Sequence, residues 1–449
     1  MSSLQDKLKA ALQSRETRKI RRQLSDPTSD VGLVDFHTND YLSLSTSEDL
    51  RSRFLEKLNT APNVLGSGGS RLLVNGTAHH ALEARLATFF GSQCALLFNS
   101  GFDANVGLFS CIPQDGDVIV FDEYIHASVH DGARSSRARG NLFSFEHNSL
   151  TALGDLLLRL LRSRPGLTEG TQSIFVAVES LYSMDGTLAP LLQIVEMMET
   201  LFPQGNGYVV VDEAHSTGVY GPQGKGLVAL LGLEQRVFAR LHTFGKALAG
   251  SGAIVLVNTL VRDYMVNYAR PLIYTTSLSY ANIVATDCSF DLLEDGTTKA
   301  LSAHLLRLST LLTTTLTGLL NSHPHIPTHL LSLPPHLSSP PPASPTLSPS
   351  LAHLPTPIIA IMTSSPRPLS AHLRRKGMNA RPITWPTVPK GKDRVRVCLH
   401  AGNTEEEVMR LAKEMVEWAL EDMEKVSAGG GAGVDREGPA AGSLAQSKM

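Results

Sequence analysis

Lys246 stands in LHTFGKALAGSGA (residues 241–253), where its neighbours are small or apolar and no carboxylate or second cation is near in sequence. A lysine removed from water loses its proton more easily, and the neutral amine is the form that attacks a carbonyl carbon to make an imine. Thr243, three residues earlier, offers a hydroxyl for a phosphate oxygen, and the flanking glycines let backbone and ligand approach closely. A nucleotide P-loop does not fit, because Lys246 is followed by Ala247 and GxxxxGK[ST] is absent. Taken alone, the stretch is equally compatible with a surface lysine after a glycine turn.

Four other stretches add to it. In YVVVDEAHSTG (208–218) an apolar run delivers Asp212 at its end and His215 three residues on. A carboxylate there suits a protonated pyridine nitrogen, which makes the ring an electron sink, with His215 placed for the ring's 3′ oxygen. In LLFNSGFDANVGL (96–108), Ser100 and Gly101 lead into a helix whose first amides can hold a phosphate dianion. VIVFDEYIHASVHDG places His126 after an apolar run, suited to stacking on a flat ring, and VAVESLYSMDGTLAPL places Glu179 and Ser183 after another. Each of these alone has a bland explanation as a helix cap, a turn or a satisfied core histidine. Together they give, in order, a phosphate cradle, a stacking histidine, a polar contact, an Asp–His pair and a lysine. One cofactor, pyridoxal 5′-phosphate (PLP), accounts for all five.

The elements that must position these residues are legible as apolar runs alternating with helical stretches: 94–98, 118–121, 173–178, 208–212 and 253–258. That alternation predicts an α/β fold with a mostly parallel sheet, whose ligands gather at the carboxyl ends of the strands. The predicted organisation is an N-terminal helix and arm (1–45), a large cofactor domain (46–290) and a smaller α+β C-terminal domain (291–425). The last of these carries a Pro-rich insertion (323–356) expected as a surface excursion, and a tail (426–449) is expected to be disordered. GGGAG at 429–433 follows no strand and is not a dinucleotide loop.

Composition narrows the function classes. The 449 residues are 42% hydrophobic and 18% charged with a formal net charge of -2, which gives no electrostatic case for nucleic acid. No run of eighteen apolar residues predicts a membrane span. Cys94, Cys111, Cys288 and Cys398 lie far apart without CxxC pairing, so neither a metal site nor a disulfide framework is expected. The opening MSSLQDKLKAALQSRETRKIRRQL lacks the apolar core of a signal peptide, and Asp6 and Glu16 count against a mitochondrial leader.

NDYLSLS, GSGGSRLLVNGTAHHALEARLA, NSGFDAN, HASVHDG, SMDGTLAPL, VDEAHSTGVYG, HTFGKALAG, IYTTSLS and RPITWPTVPKGKDRVRVCLHA resemble, in this order, the α-oxoamine synthases among fold-type-I PLP enzymes. The likeness spans about residues 3–422 apart from the Pro-rich excursion. It implies that Lys246 bonds the cofactor and moves protons at the substrate, that Asp212 meets the pyridine nitrogen, and that His215 and Ser183 hold the 3′ oxygen region. It further implies His126 on the ring face, Gly101 and Phe102 as backbone contacts, and Thr243 at the phosphate. Thr275 and Thr276 would reach the phosphate from a neighbouring subunit, making the enzyme a homodimer. Arg396 would clamp the amino-acid carboxylate, with Thr387 and Arg21 (register with Arg22 open) as further substrate contacts. The implied reaction is a decarboxylative joining of a small amino acid to an acyl-CoA. The text is most similar to the members that use L-alanine and pimeloyl-CoA. Glycine-using members and a secondary-metabolism enzyme stay open, since Ser43 replaces a common glycine and Asn403 a frequent histidine. The terminal Ser447-Lys448-Met449 resembles a peroxisomal address, which implies an import receptor as partner.

Overall fold

The computed structural model describes residues 3–18, 20–24, 26–338, 351 and 354–428. Twelve strands occur among these residues. They are β1 (Val34–Asp35), β2 (Cys94–Phe98), β3 (Val118–Asp122), β4 (Leu142–Phe145), β5 (Ile174–Glu179), β6 (Gly207–Asp212), β7 (Ala239–Thr243), β8 (Ala253–Val257), β9 (Ile358–Met362), β10 (Met378–Asn379), β11 (Arg381–Ile383) and β12 (Arg394–Cys398). Seven of them form one sheet in the order β2-β8-β7-β6-β5-β3-β4. All neighbours are parallel except β8, which runs antiparallel to both β2 and β7. The chain therefore has the mostly parallel α/β sheet predicted from its apolar runs. β3, β5 and β8 are buried at every residue, because helices cover both faces. The reversal of β8 leaves the carboxyl ends of β2, β3, β5, β6 and β7 on one edge, and Gly101, His126, Ser183, Asp212, Thr243 and Lys246 lie at or just after those ends.

Two strands escaped the sequence pattern. In β7, Ala-Arg-Leu-His-Thr, the polar Arg240 and His242 are buried at 2% and 0% exposure and interrupt the apolar run. In β4, three of the four residues are incompletely buried at the sheet edge.

A second sheet, β11-β12-β9, is antiparallel and carries the C-terminal part. The helices Thr297–Ser322, Pro366–Arg375 and Glu405–Ala428 pack around it. The helix Tyr280–Glu294 runs through position 290, and the chain turns at Asp295 and Gly296, where Gly296 has φ +84°. Within the Pro-rich span, residues up to 338 are more than a surface excursion. Ile326, Leu330, Leu331 and Leu333 are buried, and Ser332 exchanges backbone hydrogen bonds with Met362 at the end of β9. Leucines interspersed among prolines anchor this segment to the main core. The rest of the proline run up to 350 and the tail from 429 lie outside the described residues.

The N-terminal arm is stitched into the C-terminal part. β1 pairs in parallel with β10, the Cys398 amide donates to the Phe36 carbonyl, and the Ala401 amide donates to the Tyr41 carbonyl. Phe36, Tyr41 and Leu42 are all but inaccessible. This places NDYLSLS against the end of β12 and over the edge where the functional side chains gather.

Candidate active site

β6 ends at Asp212, whose Oδ1 accepts the Ala214 amide at 2.9 Å and whose Oδ2 accepts the Asn105 amide at 2.8 Å. Asn105 also donates to Ser128 Oγ at 3.0 Å, and Ser128 Oγ lies 2.7 Å from His126 Nδ1. The carboxylate and the stacking histidine are thus tied through Asn105 and Ser128, neither of which the sequence singled out. His126 is an exposed residue at the rim of this group. Protein atoms crowd it enough to hold its pKa below 6.5, with the Asp212 charge opposing.

Lys246 follows β7 after Phe244 and Gly245, and its Nζ lies 3.0 Å from His215 Nε2. Burial pushes the lysine pKa down, the charges of Asp212 and Glu179 oppose that, and Arg396 reinforces it. His215 is held far below its ordinary pKa by burial and by the cations of Lys246 and Arg396, so it is neutral. Its other nitrogen, Nδ1, lies 2.6 Å from the Tyr41 hydroxyl. Glu179 ends β5 directly beside Asp212 on β6. Burial, together with the Asp212 charge, raises the Glu179 pKa far above the usual carboxylate range, and its Oε1 is buried without a partner.

β12 supplies two arginines on one face of the strand. Arg394 is paired with Asp185 of the SMDG turn. Arg396 has no carboxylate partner among the described residues. It donates from Nε to the Ser183 carbonyl at 2.5 Å and from a terminal nitrogen to Asn39 Oδ1 at 2.9 Å. A buried guanidinium facing only neutral acceptors leaves its charge uncompensated, which favours an incoming anion.

Ser100 caps the helix Gly101–Cys111, its hydroxyl accepting the Asp103 amide at 3.0 Å. The helix cannot satisfy the amides of Gly101 and Phe102 internally. A Cβ on Gly101 would come 3.5 Å from Thr243 Cβ, so this helix start and the Thr243 side chain face one another across a narrow gap. The Phe102 ring is 45% exposed and stands edge-on to His126, centroids 6.4 Å apart.

The structure therefore brings together Lys246, His215, Asp212, His126, Ser183 and Arg396, with Gly101 and Thr243 adjoining each other. Other predicted contacts lie apart. Thr275 and Thr276 are near Asn99, which donates to Thr275 Oγ1 at 3.4 Å and to the Thr276 carbonyl at 2.7 Å. Thr387 is exposed, its amide bonded to the Thr384 carbonyl. Arg21 is exposed and pairs with Glu16 at 3.3 Å. Tyr41, Asn39 and Asn105 join the site although sequence reasoning passed over them. NDYLSLS was a visible signal, but nothing in it reveals that the arm folds back beneath His215. The two departures from the family pattern sit side by side. Ser43 has φ +55°, and its hydroxyl accepts the Gly402 amide at 2.8 Å, beside Asn403, whose Oδ1 accepts the His400 amide at 2.9 Å.

The donor set suits PLP. It offers an amine of lowered pKa, a carboxylate at a strand end, an exposed histidine, unsatisfied amides at a helix start and an orphaned buried carboxyl oxygen. Residues 31–415 match the family model "Aminotransferase class I and II". The chain belongs to that family. Among curated relatives, this family member is 46% identical over 429 residues to an 8-amino-7-oxononanoate synthase of Emericella nidulans, covering 95% of this chain and 98% of that one. It is 38% identical over 414 residues to the aminoacyl transferase sphA of Aspergillus fumigatus, covering 91% and 85%. A serine palmitoyltransferase solved with PLP shares the fold at 24% identity and TM-score 0.74, over 94% of this chain and 99% of that one. Within the class I and II aminotransferases the chain falls among the α-oxoamine synthases, enzymes of acyl transfer. Among the described residues no helix is long and apolar enough to cross a membrane.

Proposed function

We propose that this protein is a PLP-dependent synthase that joins L-alanine to pimeloyl-CoA, giving 8-amino-7-oxononanoate, CoA and CO2. The observation that carries the reading is the gathering at one sheet edge of a lysine of lowered pKa, a strand-end carboxylate and an arginine without an anionic partner among the described residues. An amine, an electron-withdrawing anchor and a carboxylate clamp are what an amino-acid Cα reaction requires.

Lys246, Asp212, His126, His215, Ser183, Gly101, Phe102 and Thr243 would hold PLP. When bound, it supplies an electron-poor ring that stabilises negative charge at the substrate Cα. Arg396 orients the amino acid by its carboxylate. Lys246, once its amine is free, takes the Cα proton and later returns one. Burial lowers its pKa, which favours the neutral amine relative to a free lysine. Asp212, held in place by two donors, would face the ring nitrogen. The buried walls exclude water from the reacting centre.

The 46% relative supports alanine and pimeloyl-CoA. The aminoacyl transferase relative supports a second reading, another amino acid or acyl-CoA in the same chemistry. Release of CoA measured across alanine, glycine and serine with pimeloyl-, acetyl-, succinyl- and palmitoyl-CoA separates them. Turnover with alanine and pimeloyl-CoA supports the first. Turnover confined to glycine with acetyl- or succinyl-CoA removes it. Thr275 and Thr276 would reach the phosphate in a second copy, so the working form is proposed to be a homodimer. Peroxisomal import through Ser447-Lys448-Met449, which lies outside the described residues, is likewise proposed. A tagged protein that stays diffuse with this tripeptide intact removes it.

A further inference from the structure

Five polar groups form an unbroken line through the site: Lys246 Nζ, His215, the Tyr41 hydroxyl, Asn39 Oδ1 and Arg396. Arginine has only donors, so Asn39 must turn its oxygen towards Arg396. Tyr41 has one proton and two acceptors within reach, Asn39 Oδ1 at 3.1 Å and His215 Nδ1 at 2.6 Å. It can serve only one at a time. Its hydroxyl belongs to a fully buried side chain, so no bulk water replaces whichever bond it gives up.

The inventory of donors allows two complete arrangements. With Lys246 as an ammonium, Nζ donates to His215 Nε2, His215 Nδ1–H donates to the tyrosine oxygen, and Tyr41 O–H donates to Asn39. With Lys246 neutral the same arrangement persists, because the amine keeps N–H donors, and a second opens in which His215 Nε2–H donates to the lysine lone pair and Tyr41 O–H donates to Nδ1. In the second, Asn39 depends on Arg396 alone. Only the first accommodates the ammonium, which has no lone pair. We propose that Tyr41 is a positioning residue that couples the charge on Lys246 to occupancy of Arg396. A carboxylate that engages Arg396 draws its donors from Asn39 and from the Tyr41 oxygen, which Arg396 also reaches. Asn39 then requires the tyrosine proton and the tyrosine oxygen requires the His215 Nδ1–H, which closes the second arrangement to the neutral amine and so favours the ammonium. This inference rests on the reading of Arg396 as the carboxylate site.

The other ionisable groups facing this line are fixed in kind. Asp212, Glu179 and Arg396 act on Lys246, Arg396 and His126 act on His215, and Cys398, Arg396 and Tyr220 act on Tyr41. An anion at Arg396 also raises the lysine pKa directly through space, and that part survives loss of the tyrosine proton.

The test uses the full chain freed of PLP. Uptake of PLP needs neutral Lys246, so the midpoint of its rate against pH, followed by absorbance, reports the lysine pKa. Acetate, which can occupy Arg396 without reacting, is expected to raise that midpoint by on the order of one pH unit in the unaltered protein. In Tyr41→Phe the rise falls by more than half, and Asn39→Ala, which removes the other end of the line, gives the same result with the tyrosine in place. The proposal is overturned if acetate moves the midpoint equally in all three proteins, or not at all in the unaltered one. A protein that takes up no PLP in any form sinks the proposed function itself, which is a distinguishable failure.

Discussion

At the scale of single residues, the site separates groups by what surrounds them. Lys246→Ala removes the one amine at the ring position. Activity is expected to fall by at least about 10³-fold and the absorbance of bound PLP to be lost; persistence of both ends the assignment. Arg394 and Arg396, two residues apart, have different fates because only Arg394 meets a carboxylate. Arg396→Lys keeps a cation but not the fork, so KM for the amino acid is expected to rise about 10- to 100-fold with kcat less affected. His215 and His242 are buried and held neutral in the fold, the latter stacked on Phe90 at 4.1 Å with its Nε2 unpartnered. Their folded pKa values lie below the unfolded 6.5, so below that pH the unfolded chain binds more protons and stability falls as pH drops. The slope is about 1.4 kcal/mol per pH unit for each histidine. His242→Phe removes one of them. Denaturant titrations at pH 7.5 and 5.5 should show the stability gap narrowed by roughly 1 kcal/mol.

At the scale of elements, the strand ends carried most of what could be read. Apolar runs revealed β2, β3, β5, β6 and β8, and the polar residues at the ends of the first four are among those that meet in the site. β7, which delivers Lys246, was hidden because buried Arg240 and His242 break its apolar pattern, yet the lysine stood out by its small neighbours. What remained illegible was long-range. Tyr41 and Asn39 reach the site only because β1 pairs with β10, a contact across more than 340 residues that no local pattern encodes. The direction of β8 was equally hidden, since an antiparallel buried strand has the same apolar run as a parallel one. The SMDG turn shows how closely these elements interlock. Gly186 has φ +68°, and a Cβ there would lie 1.9 Å from the Ile358 carbonyl oxygen at the start of β9. Gly186→Ala is expected to cost about 3 kcal/mol or more, read as a lower denaturation midpoint. A neutral result would mean that the turn and β9 do not meet.

At the scale of the whole molecule, one exposed apolar patch bears on the proposed homodimer. Leu65, Leu73 and Tyr274 are 78%, 80% and 72% exposed. They belong to two segments bonded to each other, since the Tyr280 amide donates to the Leu65 carbonyl and the Ser277 amide to the Gly69 carbonyl. Thr275 and Thr276 lie in the same region. Sedimentation is expected to show a dimer, and Leu65→Asp with Leu73→Asp to yield monomers that lose most activity and PLP affinity. Monomers of full activity would refute the shared site.

The pairing of β1 with β10 and the place of Arg396 in β12 also set an order of events during biosynthesis. The lysine leaves the ribosome some 150 residues before the arginine, and the amino-terminal arm waits longer still for its strand partner. A nascent chain halted before β12 holds the groups of the large sheet and the arm with its β10 partner, but lacks the Arg396 clamp and the Cys398 and Ala401 amides that seat the arm. Recognition of the amino-acid carboxylate is therefore the last part of the site to be completed, and chains terminated before β12 are expected to show no amino-acid selectivity even where the large sheet has formed.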